Sequence, residues 1–99
     1  MYSGYEQHFE REMGCTEDEW LMWLPAAVGA REFQIGAASA VVEISTGTLT
    51  LSWRAGEPRV IALVRLPRLH VSFRFDRVEA GQRLAFMTRF DLYMQRGGG

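Results

Sequence analysis

Two histidines, one cysteine and twelve carboxylates are the parts from which this chain could build a reactive site. Nucleophilic catalysis needs a nucleophile beside a base that a third group orients, and neither Cys15 nor any serine or threonine sits in a local motif of that kind. Cys15 follows Gly14 at the start of an expected helix, where the helix dipole would lower its pKa. Standing alone, with no other support for reactivity, it is read as a plain small residue in a turn. His8 and Glu12, one helical turn apart, offer only two metal ligands, and His70 lies far along the chain, so no metal site is expected. No glycine-rich phosphate loop follows a strand, and no cofactor is implied. The chain therefore nominates no catalytic residues.

Binding chemistry is better represented. Leu69, Val71, Phe73 and Phe75 alternate with Arg68, His70, Ser72 and Arg74, and Arg54 follows Trp53. On strands, the aromatic set would face a core while Arg54, Arg68, His70, Ser72 and Arg74 face away, with Arg65 nearby. Guanidinium forks suit carboxylates and phosphates, and Glu43 and Thr50 would offset part of that charge by cross-strand pairing. Ile61 and Leu63 share a strand face with Arg59 and Arg65, an apolar centre with a charged rim of the kind homodimers use. Arg54, Ile61, Leu63, Arg65, Arg68, His70 and Arg74 are thus the candidate binding face. A second candidate is an apolar pocket among Trp20, Trp23, Trp53, Phe73, Phe86 and Phe90, made adaptable by Met22, Met87 and Met94. Ordinary core is the competing reading, because a small domain needs most of its apolar residues to stay folded.

The elements that must position these residues follow from periodicity. Tyr5, Phe9 and Met13 recur every fourth residue and Gly14 follows, predicting a short first helix. Thr16 and Glu19 form a capping-box pattern before Trp20, Trp23, Leu24 and Ala27, predicting a second helix that Pro25 ends or kinks. From Ala38 the period falls to two: Val42 and Ile44, then Leu49, Leu51 and Trp53, alternate with polar residues across a Thr46-Gly47 turn. A turn at Ala55-Gly56-Glu57-Pro58 precedes a nearly continuous apolar strand from Arg59 to Arg65, expected to be central or covered on both faces. A turn at Leu66-Pro67-Arg68-Leu69 leads into the last strand. Asp76 and Glu79 have the form of a cap before a helix carrying Phe86, Met87, Phe90, Tyr93 and Met94, which Gly97-Gly98-Gly99 stops. Leu84, Phe86, Phe90, Leu92 and Met94 also fit a strand, although Ala, Leu, Met, Gln and Arg favour helix. The predicted fold is α+β: two short N-terminal helices, a four-stranded antiparallel meander, and a long C-terminal helix packed on one sheet face.

Ninety-nine residues, 47% hydrophobic and 23% charged, suit a single domain spanning 1–99 with one core. Residues 1–13 carry Glu6, Glu10 and Glu12 and no apolar run, so no secretory signal is read there, and no window is apolar enough for a membrane span. One cysteine allows no internal disulfide, which suits a reducing cytoplasm. All eleven basic residues are arginine, which suggests a GC-rich bacterial genome. Residues 1–32 hold seven acids against two arginines and the remainder five against nine. That asymmetry reads first as two solvated faces of different sign; it also suits head-to-tail association or an anionic partner, and is too mild for a nucleic-acid protein. Sheet-face RNA binding would further need outward aromatics, whereas this register turns them inward. The expectation is a non-catalytic interaction module that forms a homodimer through its sheet and binds a protein or small anionic ligand. The alternative is a hydrophobic-ligand domain with its pocket under the C-terminal helix, with or without enzyme activity.

Overall fold

The structure, a computed structural model, describes residues 5–96; the expected stop at Gly97-Gly98-Gly99 lies outside them. The elements run β1 (His8–Met13), α1 (Glu17–Val28), β2 (Phe33–Ile35), β3 (Ser39–Ile44), β4 (Gly47–Ala55), β5 (Arg59–Ile61), β6 (Val64–Leu66), β7 (Leu69–Asp76) and α2 (Ala80–Arg96). Five strands form one antiparallel sheet in the order β1-β7-β4-β3-β2, and β5 and β6 form a separate hairpin. The architecture is α+β with a C-terminal helix, and α1 and α2 contribute Trp20, Leu24, Phe86, Met87, Phe90 and Met94 to a core completed by the sheet.

The expected first helix is instead the edge strand β1. Its register on β7 pairs Phe9 with Phe73, Arg11 with Val71 and Met13 with Leu69, and leaves His8, Glu10 and Glu12 on the other face. Tyr5, Phe9 and Met13 at intervals of four satisfy both a helix and every second inward position of a strand. Arg11 occupies the inward position between Phe9 and Met13, and a charge there hides the two-residue period.

The capping box at α1 forms as expected, with Thr16 Oγ1 accepting from the Glu19 amide (3.1 Å) and Glu19 Oε1 from the Thr16 amide (2.9 Å). Pro25 does not end α1, which runs on to Val28. Proline removes one amide from the ladder, but the last turn is held by buried Ala27 and Val28 and closed by Gly29, whose N–H donates to the Pro25 carbonyl at 3.0 Å. At α2 the expected cap shifts: Asp76 ends β7, and the carbonyl of Glu79 accepts the first helical bond, from Arg83 N (2.9 Å).

The meander is also corrected. β4 pairs directly with β7 from Thr48↔Asp76 to Ala55↔Leu69, and the stretch expected to be a central strand folds back on itself as β5 and β6. Ala62 makes that reversal with φ +54, a conformation L-residues adopt at a cost, so no glycine announces it. The β3–β4 loop is Ser45-Thr46, one residue earlier than expected, since Ile44 pairs with Gly47. Gly47 is required for a different reason: a Cβ there would collide with the carbonyls of Asp76 and Arg77.

Candidate functional site

Both helices lie on one sheet face, so the other is open. Across it the register aligns Glu12, His70 and Arg54 in one row, Glu10, Ser72, Ser52 and Ser39 in the next, then His8, Arg74, Thr50, Val41 and Gln34. Arg54, His70, Ser72 and Arg74 therefore do share an outward face, as their alternation requires. Sequence reasoning missed His8, Glu10 and Glu12, which β1 brings onto it. Their signal is the alternation of residues 8–13, masked by Arg11. The face is consequently mixed in charge rather than basic. Arg68, at the start of β7, is held by Glu12 (Nη2 to Oε2, 3.0 Å). Ser72 Oγ and His8 Nε2 stand 3.4 Å apart at an exposed position. The cleft lined by Glu10, Ser52, Arg54, His70 and Ser72 is about 220 Å³, below the roughly 300 Å³ at which small-molecule pockets begin.

Ile61, Leu63 and Arg65 are not on this face. They belong to the β5–β6 hairpin, a separate two-stranded ribbon between β4 and β7, at whose root the Gly56 N–H donates to the Arg68 carbonyl (2.9 Å). The His70 ring lies against Gly56 where a side chain would otherwise stand. Within the hairpin Arg59 pairs with Leu66, Val60 with Arg65 and Ile61 with Val64. Val60, Ile61, Val64 and Leu66 are 42–58% exposed, and Leu63 at the tip is 98% exposed.

The residues nominated for an apolar pocket are packed against one another. Trp20 lies 5.5 Å from Trp53 and 5.9 Å from Phe90 between ring centroids, Phe73 meets Phe90 edge-on at 5.6 Å, and Phe86 stacks on Phe90 at 5.7 Å. Trp20, Phe73, Phe86 and Phe90 are fully buried and Trp53 nearly so, its indole N–H donating to Glu17 Oε2 (2.9 Å), while Trp23 packs half-buried at the margin. These contacts fill the space that a ligand would need.

One polar cluster serves the fold. Arg11 forks onto Asp91 of α2, with Nη2 to Oδ2 at 3.0 Å. Its guanidinium lies 5.3–5.7 Å from the ring centres of Phe73, Phe9 and Tyr5, and Tyr5 Oη donates to Asp91 at 2.7 Å. The bond to Asp91 pushes the Tyr5 pKa up, with burial adding to it, and the same carboxylate raises that of Arg11. Cys15 is buried, and that burial, then the nearby Glu19 charge, pushes its thiol pKa up, the reverse of an activated nucleophile. Among the described residues no three His, Cys, Asp or Glu side chains gather as a metal site would require, and no helix is long and apolar enough to cross a membrane. No protein-family model, curated protein or solved structure matches the chain.

Proposed function

We propose that this chain is a non-catalytic interaction module that self-associates through the β5–β6 hairpin and offers its open sheet face to a protein. The observation that carries this reading is the hairpin itself: five exposed apolar side chains on a ribbon that, among the described residues, pairs with no other strand. A two-stranded ribbon is marginal alone in water, and apolar surface of this kind marks an association site. The open face supports a protein surface over a small anion. Glu10 and Glu12 stand in its rows beside Arg54, His70 and Arg74, so an anion meets repulsion as well as attraction, whereas a protein surface can match both signs.

Sedimentation equilibrium on wild type and Leu63→Glu tests the association. Wild type is expected to sediment as a dimer. Leu63→Glu should remain folded by circular dichroism yet raise the dimer Kd on the order of a hundredfold or more, because it buries a charge in an apolar contact. A wild type that stays monomeric into the high micromolar range overturns the reading.

A further inference from the structure

We propose that the β5–β6 hairpin inserts its tip into the headgroup layer of an anionic lipid surface, with Arg59 and Arg65 holding the lipid phosphates. This contact goes beyond the self-association proposed above and does not depend on it. Each of the eight residues from Arg59 to Leu66 is exposed, so neither face of the ribbon lies on the body of the protein. The ladder turns Val60 and Arg65 to one face and Arg59, Ile61, Val64 and Leu66 to the other, and Leu63 at the tip is 98% exposed. Apolar side chains thus surround the ribbon. A flat protein surface covers one side of such a ribbon, whereas lipid encloses all sides at once.

Charge is graded along the arm in the order a membrane interface needs. The tip, Ile61-Ala62-Leu63-Val64, carries none. Behind the Ile61–Val64 rung stands Arg65, and Arg59 follows one rung further on the opposite face. At the rise of a strand these two rungs lie roughly 5–10 Å behind the tip, the depth to which interfacial elements bury their apolar side. Arginine stems add their carbons to the apolar surface while the guanidinium stays at headgroup level, where its fork matches phosphate. Strands of three residues confine the contact to that layer, so the unpaired backbone groups at the ribbon's edges keep their water.

Both arginines are available for it. From Arg54 to Arg68 the chain holds four arginines against one acid, Glu57. Among the described residues only Arg68 of the four meets a carboxylate, that of Glu12 at 3.0 Å. Glu12 shares a cleft with Arg59 at the root of the hairpin but is taken by Arg68. Glu10 stands further from the hairpin, level with Ser72. Arg59 and Arg65 therefore flank an apolar tip without an acidic partner, and an anionic lipid surface supplies the missing opposite charge.

The test is co-sedimentation with vesicles of one part phosphatidylglycerol to about three parts phosphatidylcholine, against phosphatidylcholine alone. Wild type is expected to pellet with the anionic vesicles and to stay in solution with the neutral ones. Leu63→Glu should weaken partitioning about tenfold or more, for the lost burial of one leucine. Arg59→Gln combined with Arg65→Gln should weaken it about thirtyfold with the apolar tip intact. All three positions are exposed, so both variants are expected to fold, which circular dichroism checks. Wild type that ignores the anionic vesicles overturns the proposal, as does equal binding to neutral vesicles or by the arginine variant. Binding that survives Leu63→Glu is adsorption without insertion and likewise overturns it. Sedimentation equilibrium without lipid reads the self-association separately. A dimer that ignores vesicles assigns the tip to a second copy and sinks the insertion, whereas a monomer that binds them leaves the insertion standing alone.

Discussion

Arg11 shows how one residue can be both a structural solution and an obstacle to reading the sequence. It stands on the core side of β1, where a lone charge would be costly. Asp91 neutralises it through a fork, three rings accept its flat face, and both side chains of the pair stay 27% exposed. The contact ties the edge strand to α2, and Tyr5 joins it through Asp91. A raised Tyr5 pKa means that the folded chain holds the phenol proton at higher pH than the unfolded chain does. Its contribution is therefore full below the unfolded value of about 10 and is lost as pH rises through the folded value. The Cys15 thiol, also raised, adds a loss of the same sign beginning near its ordinary value of 9.0. Wild-type stability in urea is expected to begin falling near pH 9 and to fall more steeply above pH 10. Tyr5→Phe should lose about 1 kcal/mol at pH 7 for the missing hydrogen bond and decline less steeply in alkali. Parallel declines for the two proteins would show that Tyr5 is not the titrating group.

At the scale of elements, the hairpin is the segment least explained by its own residues. Arg59 to Leu66 has the β-branched, apolar content of a buried strand, and the chain reverses at Ala62 with φ +54 instead of at a glycine. A β-branched residue tolerates that conformation worse than alanine. Ala62→Val is accordingly expected to destabilise the hairpin by about 1–2 kcal/mol, seen as faster amide exchange in β5 and β6 with β4 and β7 unchanged. Equal exchange in the two proteins would mean that the turn relaxes without strain. The other elements divide by how local their signals are. α1 is legible because Thr16 and Glu19 satisfy each other's backbone within four residues. β3, β4 and β7 are legible because one face is buried and the period of two is unbroken. β2, at three residues, is too short for any period to register.

At the scale of the molecule, the protein measures 46 × 35 × 21 Å, and the apolar arm sits beside the sheet edge formed by acidic β1. The separation of charge along the chain and the bare apolar arm suggest two distinct forces for association, and salt separates them. If the arm drives the contact, the dimer Kd should change less than about threefold between 0.1 and 1 M sodium chloride and tighten in sodium sulfate. A tenfold weakening in sodium chloride would assign the association to ion pairs between the acidic end and the arginines instead.

By itself the sequence determines what depends on neighbours a few residues away: the α+β class, the capped helix α1, the alternating strands β3, β4 and β7, the amphipathic α2, and the outward set Arg54, His70, Ser72 and Arg74. Only the tertiary structure decides that residues 8–13 form an edge strand, that its carboxylates share the arginine face, and that Ile61 and Leu63 stand on a projecting arm. The reason is physical. Arg11 becomes admissible inside only because Asp91, eighty residues on, meets it there, and an apolar run is exposed or covered according to whether distant elements reach it. Neither condition is written in the local period of the chain.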